Sequence, residues 1–287
     1  MPRIIFINHN TSLLMSDSSA FTMDLRSKVS IEMNSTKIKG NGFEINYFKG
    51  GNGPKKLLIF PIALGLVSDF ASLAENLDGE KYTIYICDPI GNGLNRPLNR
   101  DFSPGFLYRD ADYAIALMET LGIDRYSMLG WCYGGRTAMI AASRAADRVD
   151  KLVVWNCSAY VTAKDLEQYE TIRDIHRCSE AFRLPRFVMY GEKYVSDTWS
   201  RLVDAYRKIL DDDDGDVCRG ELAKINAPTL ILHGAKDVLV PVEHGVYLHE
   251  NIKHSTLEIF PEGGHTMHMK YPEKFVSIVD NFLSSIQ

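Results

Sequence analysis

The chain has 287 residues, of which 45% are hydrophobic and 24% are charged, and its formal net charge at pH 7 is −5. A chain of this length can bury about three quarters of its unfolded surface, which is enough for one large core. The acidic balance argues against nucleic acid as a partner. No apolar run reaches the roughly 18 residues that a transmembrane helix requires, so we expect no membrane association.

The segment 1–34 differs from the rest of the chain. It mixes Ser, Asn and Thr with a short apolar start and has no sustained periodicity, so we expect a tail or a loosely packed arm. Arg3, Arg26 and Lys28 are compatible with a mitochondrial transit peptide, but the acidic residues between them are not typical of one. We therefore predict a cytoplasmic protein, with a mitochondrial location as the alternative, and one domain over 35–287.

Apolar runs after residue 35 predict the strands of that domain. Two strands flank the hairpin-like turn at 40–42, and the runs 57–60, 83–87 and 151–155 are typical of buried parallel strands. Between 161 and 226 this pattern stops, and 165–177 and 198–210 show helical spacing instead. A helical insertion at that place is expected to form a cap over a site. The acidic run 211–214 is interpreted as a solvated loop in the cap, with a cation site as the alternative.

The segment 126–146 carries the most informative motif. Its middle spells G-x-C-x-G-G, with Cys132 flanked by Gly130 and Gly134, after a strand-like run and before an alanine-rich, helix-like one. Glycines at these positions allow the sharp strand-to-helix turn of a nucleophile elbow. The free N–H groups at the start of the helix would favour the thiolate form of Cys132. The alternative is a buried cysteine in an ordinary strand-to-helix turn.

Two further residues follow in the order that this elbow requires. Asp237 lies just after the apolar run 228–232, and His265 lies in a glycine-bearing loop after the run 256–260. Asp237 would orient the imidazole of His265, which would take a proton from Cys132 and later activate water. Taken singly, Asp237 could be a turn residue and His265 a loop histidine. The ordered trio predicts a cysteine–histidine–aspartate triad.

The other histidines and cysteines indicate no metal site, no cofactor and no disulfide. His233 ends an apolar strand and is expected in the core, while His268 has no acidic or cysteine partner nearby to complete a metal site. The cysteines are scattered, odd in number and without a C-x-x-C motif, which is typical of a reducing compartment. They are Cys87, Cys132, Cys157, Cys178 and Cys218.

From residue 35 onward the chain resembles the valacyclovir hydrolase (biphenyl hydrolase-like) family of the α/β-hydrolase superfamily. The matching phrases are L-G-W-x-x-G-G at 129–135, D-P-x-G-x-G with R-P at 88–97, A-Y-V-T at 159–162, H-G-x-K-D-x-L-V-P at 233–241 and P-E-G-x-H at 261–265. The resemblance implies an α/β fold with a mostly parallel eight-stranded sheet, helices on both faces and a helical cap. It also implies hydrolysis of small esters, particularly amino-acid esters, without a cofactor.

The chain departs from this family at three places near the site. Cys132 replaces the family's serine, and Tyr133 replaces the acidic residue that would receive a substrate ammonium group, unless an acid from the cap takes its place. Ile62 replaces a glycine in the loop that carries one oxyanion donor, and a β-branched residue restricts positive φ there. The resemblance assigns the oxyanion hole to the backbone N–H groups of Ala63 and Tyr133.

Two functions are compatible with this sequence. The first is a cysteine-nucleophile hydrolase of small carboxylic esters that works through a thioester intermediate. The second is a hydrolase-fold protein with little or no turnover that binds a small ligand under its cap. Turnover of simple esters distinguishes the two, and oligomeric state does not follow from the sequence.

Overall fold

The computed structural model describes residues 4–8, 11–15, 21–24, 31–38, 44–95 and 99–285. Its strands are β1 Ile4–Asn8, β2 Thr11–Met15, β3 Phe21–Asp24, β4 Ile31–Lys37, β5 Glu44–Gly50, β6 Lys55–Phe60, β7 Tyr82–Cys87, β8 Tyr126–Trp131, β9 Val149–Trp155, β10 Thr229–Gly234 and β11 Ser255–Phe260. Its α-helices are α1 Ala71–Asn76, α2 Phe106–Thr120, α3 Tyr133–Arg144, α4 Ala163–Thr171, α5 Glu180–Tyr190, α6 Glu192–Asp213, α7 Arg219–Leu222, α8 Val242–Asn251, α9 Met267–Lys270 and α10 Pro272–Ser284. Strands and helices alternate along most of the chain, which is the pattern of an α/β protein.

The strands form one sheet in the order β1-β2-β3-β4-β5-β7-β6-β8-β9-β10-β11. From β7 to β11 every neighbouring pair is parallel, whereas β5 pairs antiparallel with both β4 and β7. Strands β4–β11 are therefore the expected eight-stranded, mostly parallel sheet, and this prediction is confirmed. All six strands expected after residue 50 occur, and the expected turn at 40–42 lies outside the described residues.

The described part of 1–34 continues the edge of this sheet. Strands β1, β2 and β3 pair antiparallel in sequence, and β3 pairs with β4. The expected domain boundary at 34/35 lies inside β4, whose first residue, Ile31, already belongs to the core of the domain. The physical reason is that Ile31, which pairs with Gly50, is only 1% exposed and belongs to the core.

Helices cover both faces of the sheet. On one face α2, α3 and α8 pack against side chains such as Met128, and on the other α1 and α10 pack against side chains such as Leu129. Because successive residues of a strand point to opposite faces, both neighbours in β8 are buried. This explains why the central strands are continuously apolar rather than alternating. None of the described helices has the length and apolar character needed to cross a bilayer.

The cap segment between β9 and β10 is helical, with bounds that differ from those predicted. The expected helix over 165–177 ends at Thr171, and a separate 3-10 turn covers Ile175–Arg177. The expected helix over 198–210 is the centre of the much longer α6, whose last turn contains most of the acidic run 211–214. Helix α5 was not predicted, and Pro185 lies inside it. Proline signals a helix break in sequence, but the packing of α5 against α6 outweighs that local cost.

Two buried contacts from α5 attach the cap to the loops at the end of the sheet. Arg186 forms an ion pair with Asp69 at 2.7 Å, and both side chains are less than a tenth exposed. The hydroxyl of Tyr190 donates a hydrogen bond to the carbonyl of Gly65 at 2.7 Å. The cap therefore lies directly over the loop that follows β6.

Candidate active site

The turn between β8 and α3 has the geometry of a nucleophile elbow. Cys132 lies alone between Trp131, the last residue of the strand, and Tyr133, the first of the helix, and has a φ of 52°. A Cβ at Gly130 would lie 2.4 Å from the carbonyl oxygen of Gly134, and a Cβ at Gly134 would lie 2.0 Å from the carbonyl oxygen of Phe60. Positive φ is costly for a residue with a side chain and is typical of functional turns. The two predicted glycines are thus required by close backbone approach.

The loops after β10 and β11 bring Asp237 and His265 together. Asp237 Oδ2 lies 2.7 Å from His265 Nδ1 in a hydrogen bond. The other carboxylate oxygen, Oδ1, accepts from the backbone N–H groups of Leu239 at 2.9 Å and Val240 at 3.0 Å. Because both oxygens are occupied, the carboxylate is fixed in one orientation. It fixes the imidazole in turn, with Nδ1 protonated and Nε2 directed away from Asp237.

The side chains of His265 and Cys132 lie close enough for each to shift the pKa of the other through opposite charge and hydrogen bonding. Burial favours the neutral forms of both groups, but the opposite charge of the partner and this hydrogen bond outweigh it. The pKa of Cys132 is therefore lowered, and the pKa of His265 is raised by the thiolate and by Asp237. The structure thus brings together three residues that are far apart in the sequence, and the two opposite pKa shifts favour a thiolate–imidazolium pair.

Asn156 positions the histidine loop and was missed by the sequence analysis. It follows β9, is fully buried with a φ of 45°, and its Nδ2 donates to the carbonyl oxygens of Gly264 at 2.9 Å and His265 at 2.7 Å. Its Oδ1 accepts from the N–H of Gly234 at 2.9 Å. An asparagine directly after an apolar strand tolerates the left-handed conformation, which was the available signal. Asn156 thus links the ends of β9 and β10 to the loop that carries His265.

The two expected oxyanion donors, Ala63 and Tyr133, border one small cavity under cap helix α6. Within the described part of the chain, neither backbone N–H has a hydrogen-bond partner. The loop after β6 makes a turn that contains Ala63, in which the N–H of Gly65 donates to the carbonyl of Ile62 at 2.8 Å. The positive φ of this loop, 51°, occurs at Leu64 rather than at Ile62. The restriction expected from a β-branched residue at 62 therefore does not arise.

The side chain of Tyr133 is buried in a polar network away from solvent. Its hydroxyl lies 2.5 Å from Arg100 Nη2 and 2.5 Å from Asp110 Oδ2, and its ring stacks on Phe106. Arg100 and Asp110 also form a buried ion pair with each other. The acid that contacts Tyr133, Asp110, thus comes from α2. Because Arg100 already pairs with it, that carboxylate is not free to receive an ammonium group.

The remaining histidines of interest lie in the core. His233 Nε2 lies 2.8 Å from the carbonyl oxygen of Val240, and His268 Nδ1 accepts from Trp155 Nε1 at 3.2 Å. Burial lowers the pKa of His268 to about 3, so its ring is neutral. Across the described residues there is no group of three or more His, Cys, Asp or Glu side chains that could hold a metal ion. All five cysteines are free thiols.

Comparison with known proteins identifies relatives over most of the chain. The serine hydrolase BPHL of Homo sapiens and that of Mus musculus are each 38% identical over 250 residues, covering 87% of this chain and 86% of theirs. The resemblance to the valacyclovir hydrolase (biphenyl hydrolase-like) family is thereby confirmed. Those relatives are named serine hydrolases, whereas the elbow of this chain carries Cys132.

A solved structure shares the fold at lower identity. The meta-cleavage product hydrolase of Pseudomonas fluorescens superposes with a TM-score of 0.69 at 21% identity, covering 87% of this chain and 96% of that one. The family model for the alpha/beta hydrolase fold matches residues 56–205, which include the elbow and most of the cap. The chain belongs to the α/β-hydrolase fold family.

Proposed function

We propose that the protein is a hydrolase of small carboxylic esters that uses Cys132 as nucleophile, His265 as base and acid, and Asp237 as the orienting group. The observation that supports it most is the hydrogen bond from His265 to Asp237, together with the opposite pKa shifts of His265 and of the thiol at the elbow. The reaction needs no cofactor, because the chain itself supplies the nucleophile, the base and the oxyanion donors.

In the first half-reaction the Cys132 thiolate attacks the ester carbonyl carbon. The carbonyl electron pair moves to oxygen, and the backbone N–H groups of Ala63 and Tyr133 donate hydrogen bonds to the resulting oxyanion. The intermediate then collapses, the C–O bond breaks, and the leaving alkoxide takes the proton from Nε2 of His265. The products of this step are the free alcohol, a thioester on Cys132 and a neutral imidazole.

In the second half-reaction water replaces the alcohol. Neutral His265 takes a proton from water, the oxygen attacks the thioester carbonyl, and the C–S bond breaks. Cys132 leaves as a thiolate and the imidazole remains protonated, so the starting ion pair is restored. The carboxylic acid product ionises to solvent. Asp237 stays ionised throughout and stabilises the imidazolium.

The test is intact-mass spectrometry after incubation with p-nitrophenyl acetate, combined with the rate of nitrophenol release. The expected result is one acetyl group on Cys132, steady release in the wild type, and neither in Cys132→Ala. Cys178→Ala is the matched control, because Cys178 is a partly buried cap cysteine whose thiol pKa is raised by burial. It should leave both signals unchanged.

Other outcomes have defined meanings. Acetylation of Cys132 without steady release would indicate that water does not reach the thioester, and the proposal of turnover would fail. No acetylation at Cys132 would instead support the second function, a protein that binds a small ligand under its cap. In that case a ligand that raises the melting temperature would identify the binding site.

A further inference from the structure

A buried arginine lies one helical turn beyond the nucleophile. Arg136 follows Cys132 by four residues in α3 and is 2% exposed. Its Nη2 donates to the hydroxyl oxygens of Ser158 at 2.7 Å and Tyr169 at 3.1 Å. Its guanidinium carbon lies 4.6 Å from the ring centroid of Tyr206. Tyr169 and Tyr206 belong to cap helices α4 and α6, so Arg136 lies where the cap meets the elbow helix.

Arg136 differs from the other two fully buried arginines in having no carboxylate partner. Arg100 pairs with Asp110 at 2.5 Å, and Arg186 pairs with Asp69 at 2.7 Å. Among the described residues, Arg136 contacts only the neutral hydroxyl groups of Ser158, Tyr169 and Tyr206 and the Tyr206 ring, and its hydrogen bonds with Ser158 and Tyr169 come from Nε and Nη2 rather than Nη1. A guanidinium withdrawn from water without a counter-charge is unfavourable. The two N–H groups of Nη1 are thus available to an acceptor from outside the chain.

The acids around the site cannot supply that counter-charge. Asp237 is committed to His265, and Asp165 is committed to His244 at 3.0 Å and to the first turn of α4. The Cys132 thiolate, four residues before Arg136, is a negative charge that acts on it, since the arginine contributes to the lowered pKa of that thiol. Acylation removes this charge, because a thioester is neutral. Arg136 would then be uncompensated during the lifetime of the acyl-enzyme.

We propose that Arg136 binds the carboxylate of an anionic acyl group, and that the substrates of this hydrolase are monoesters of short dicarboxylic acids. This inference rests on the proposed ester hydrolysis and adds the class of acyl group. A carboxylate on the acyl part would stay bound to Arg136 in the substrate complex and in the thioester that follows. It supplies the missing negative charge in both states. A guanidinium fits a carboxylate in a forked, two-bond geometry, which gives selectivity as well as affinity.

A preference for a cationic acyl group has no support in the same region. A substrate ammonium group needs a free carboxylate, and the position that is acidic in the resembling family is Tyr133 here. The nearby Asp110 already pairs with Arg100 and accepts from Tyr133. The described charges near the nucleophile thus favour an anionic acyl group over a cationic one.

The experiment compares three methyl esters of similar length that differ in charge. They are monomethyl glutarate, which is anionic, methyl hexanoate, which is neutral, and methyl 5-aminopentanoate, which is cationic; released methanol is measured for each. In the wild type we expect kcat/KM to fall in that order. In Arg136→Met the ratio of the anionic to the neutral ester should fall about 10- to 100-fold, the size expected for lost hydrogen bonds to a charged group.

Two further variants separate a binding role from a structural one. Arg136→Lys keeps the positive charge but not the fork, so it should retain part of the preference. Arg125→Met is the matched control for net charge. Arg125 is exposed, pairs with Asp150 and lies just before the start of β8, at the end of that strand opposite to Cys132. This variant should leave the ratio unchanged. If Arg136→Met does not fold, Arg136→Lys and the wild-type ratios still test the proposal.

The results that would overturn the inference are distinct from failure of the proposed function. A wild type that hydrolyses the cationic ester as well as the anionic one, or an Arg136→Met variant with an unchanged ratio, would refute the anion site. If the wild type hydrolyses none of the esters, the proposed function fails. Thermal unfolding with free glutarate then tests the site alone: stabilisation that is lost in Arg136→Met and partly retained in Arg136→Lys supports it, and no stabilisation of the wild type refutes it.

Discussion

Two histidine–aspartate pairs lie in different regions of the molecule, and only one of them lies beside the proposed nucleophile. His265 and Asp237 lie at the carboxyl end of the sheet with a side-chain distance of 2.7 Å, whereas His244 of α8 and Asp165 of α4 join the core to the cap at 3.0 Å. Both aspartates are buried. The imidazole of His265 contacts the Cys132 thiol, while that of His244 packs on the ring of Tyr160.

The pair alone therefore does not make a site. The reactive pair has a third group, held by a strained turn, on the free side of the imidazole. In the cap pair, His244 Nδ1 has no hydrogen-bond partner in the described structure, so a proton taken there has no donor or acceptor to pass to. The predictions below test this contrast with matched variants of the two pairs.

The largest expected effect comes from the two histidines. His265→Gln removes the group that exchanges protons with the thiol and the leaving alcohol, so kcat should fall about 10³- to 10⁴-fold. His244→Gln keeps a donor for Asp165 and removes no group of the proposed triad, so it should change kcat less than about threefold. Steady-state hydrolysis of p-nitrophenyl acetate measures both. Equal losses in the two variants would contradict the contrast.

The next effect comes from the two aspartates. In Asp237→Asn the carboxamide oxygen must stay at the Oδ1 position, because two backbone N–H groups point at it. The amide NH₂ then donates to His265 Nδ1, so the imidazole proton moves to Nε2. A protonated Nε2 cannot accept a proton from the nucleophile. We expect kcat to fall about 10²- to 10⁴-fold, as is typical of a wrong tautomer.

Asp165→Asn is the control for the aspartate experiment. It perturbs the N-terminal cap of α4, where Asp165 accepts from the N–H of Thr162, so we expect reduced thermal stability and little change in kcat. A large loss of kcat in this variant would show that the cap pair also takes part in the reaction.

The cap attachment should affect stability more than chemistry. Arg186→Met leaves Asp69 buried without its counter-ion, so the free energy of unfolding should fall by about 3 kcal/mol at pH 7. Burial raises the pKa of Asp69 even with Arg186 present. A folded carboxyl with a raised pKa binds more protons than the unfolded one, so the deficit of the variant should shrink as the pH falls toward 5. Denaturant unfolding at both pH values measures this, and a deficit that grows on acidification would contradict it.

The smallest expected effect is a shift in the pH profile of thiol alkylation. The pKa of Cys132 is lowered by His265, whereas burial raises the pKa of Cys178. Iodoacetamide should therefore modify Cys132 at a lower pH than Cys178. In His265→Gln the profile of Cys132 should move to higher pH. Peptide mapping gives the rate at each cysteine, and an unchanged profile would refute the ion pair.

The local pattern of the sequence was sufficient for the central part of the fold. Continuous apolar runs predicted β6–β10 because strands covered on both faces have no polar side, and a shorter apolar run predicted the edge strand β11. The spacing of Gly130, Cys132 and Gly134 predicted the elbow because no other residue fits where two backbones meet. Strand ends also located Asp237 and His265, since parallel strands bring their carboxyl ends to one edge of the sheet.

The sequence was insufficient where contacts join distant segments. Helix α5 contains Pro185, so its local signal argued against a helix, and only packing within the cap stabilises it. The polar network of Tyr133 depends on Arg100 and Asp110, and the role of Asn156 depends on two loops more than 75 positions further along the chain. Such partners leave no periodicity in the sequence.

What the sequence by itself determined is the set of candidate catalytic groups, their order and the strand ends that carry them, because backbone geometry and hydrophobic periodicity are local. Only the tertiary structure decided which charges are neutralised. It pairs Arg100 and Arg186 with carboxylates and leaves Arg136 with hydroxyl groups and a ring. Electrostatic energy in a buried site depends on distances between side chains from separate elements, and chain order does not encode those distances.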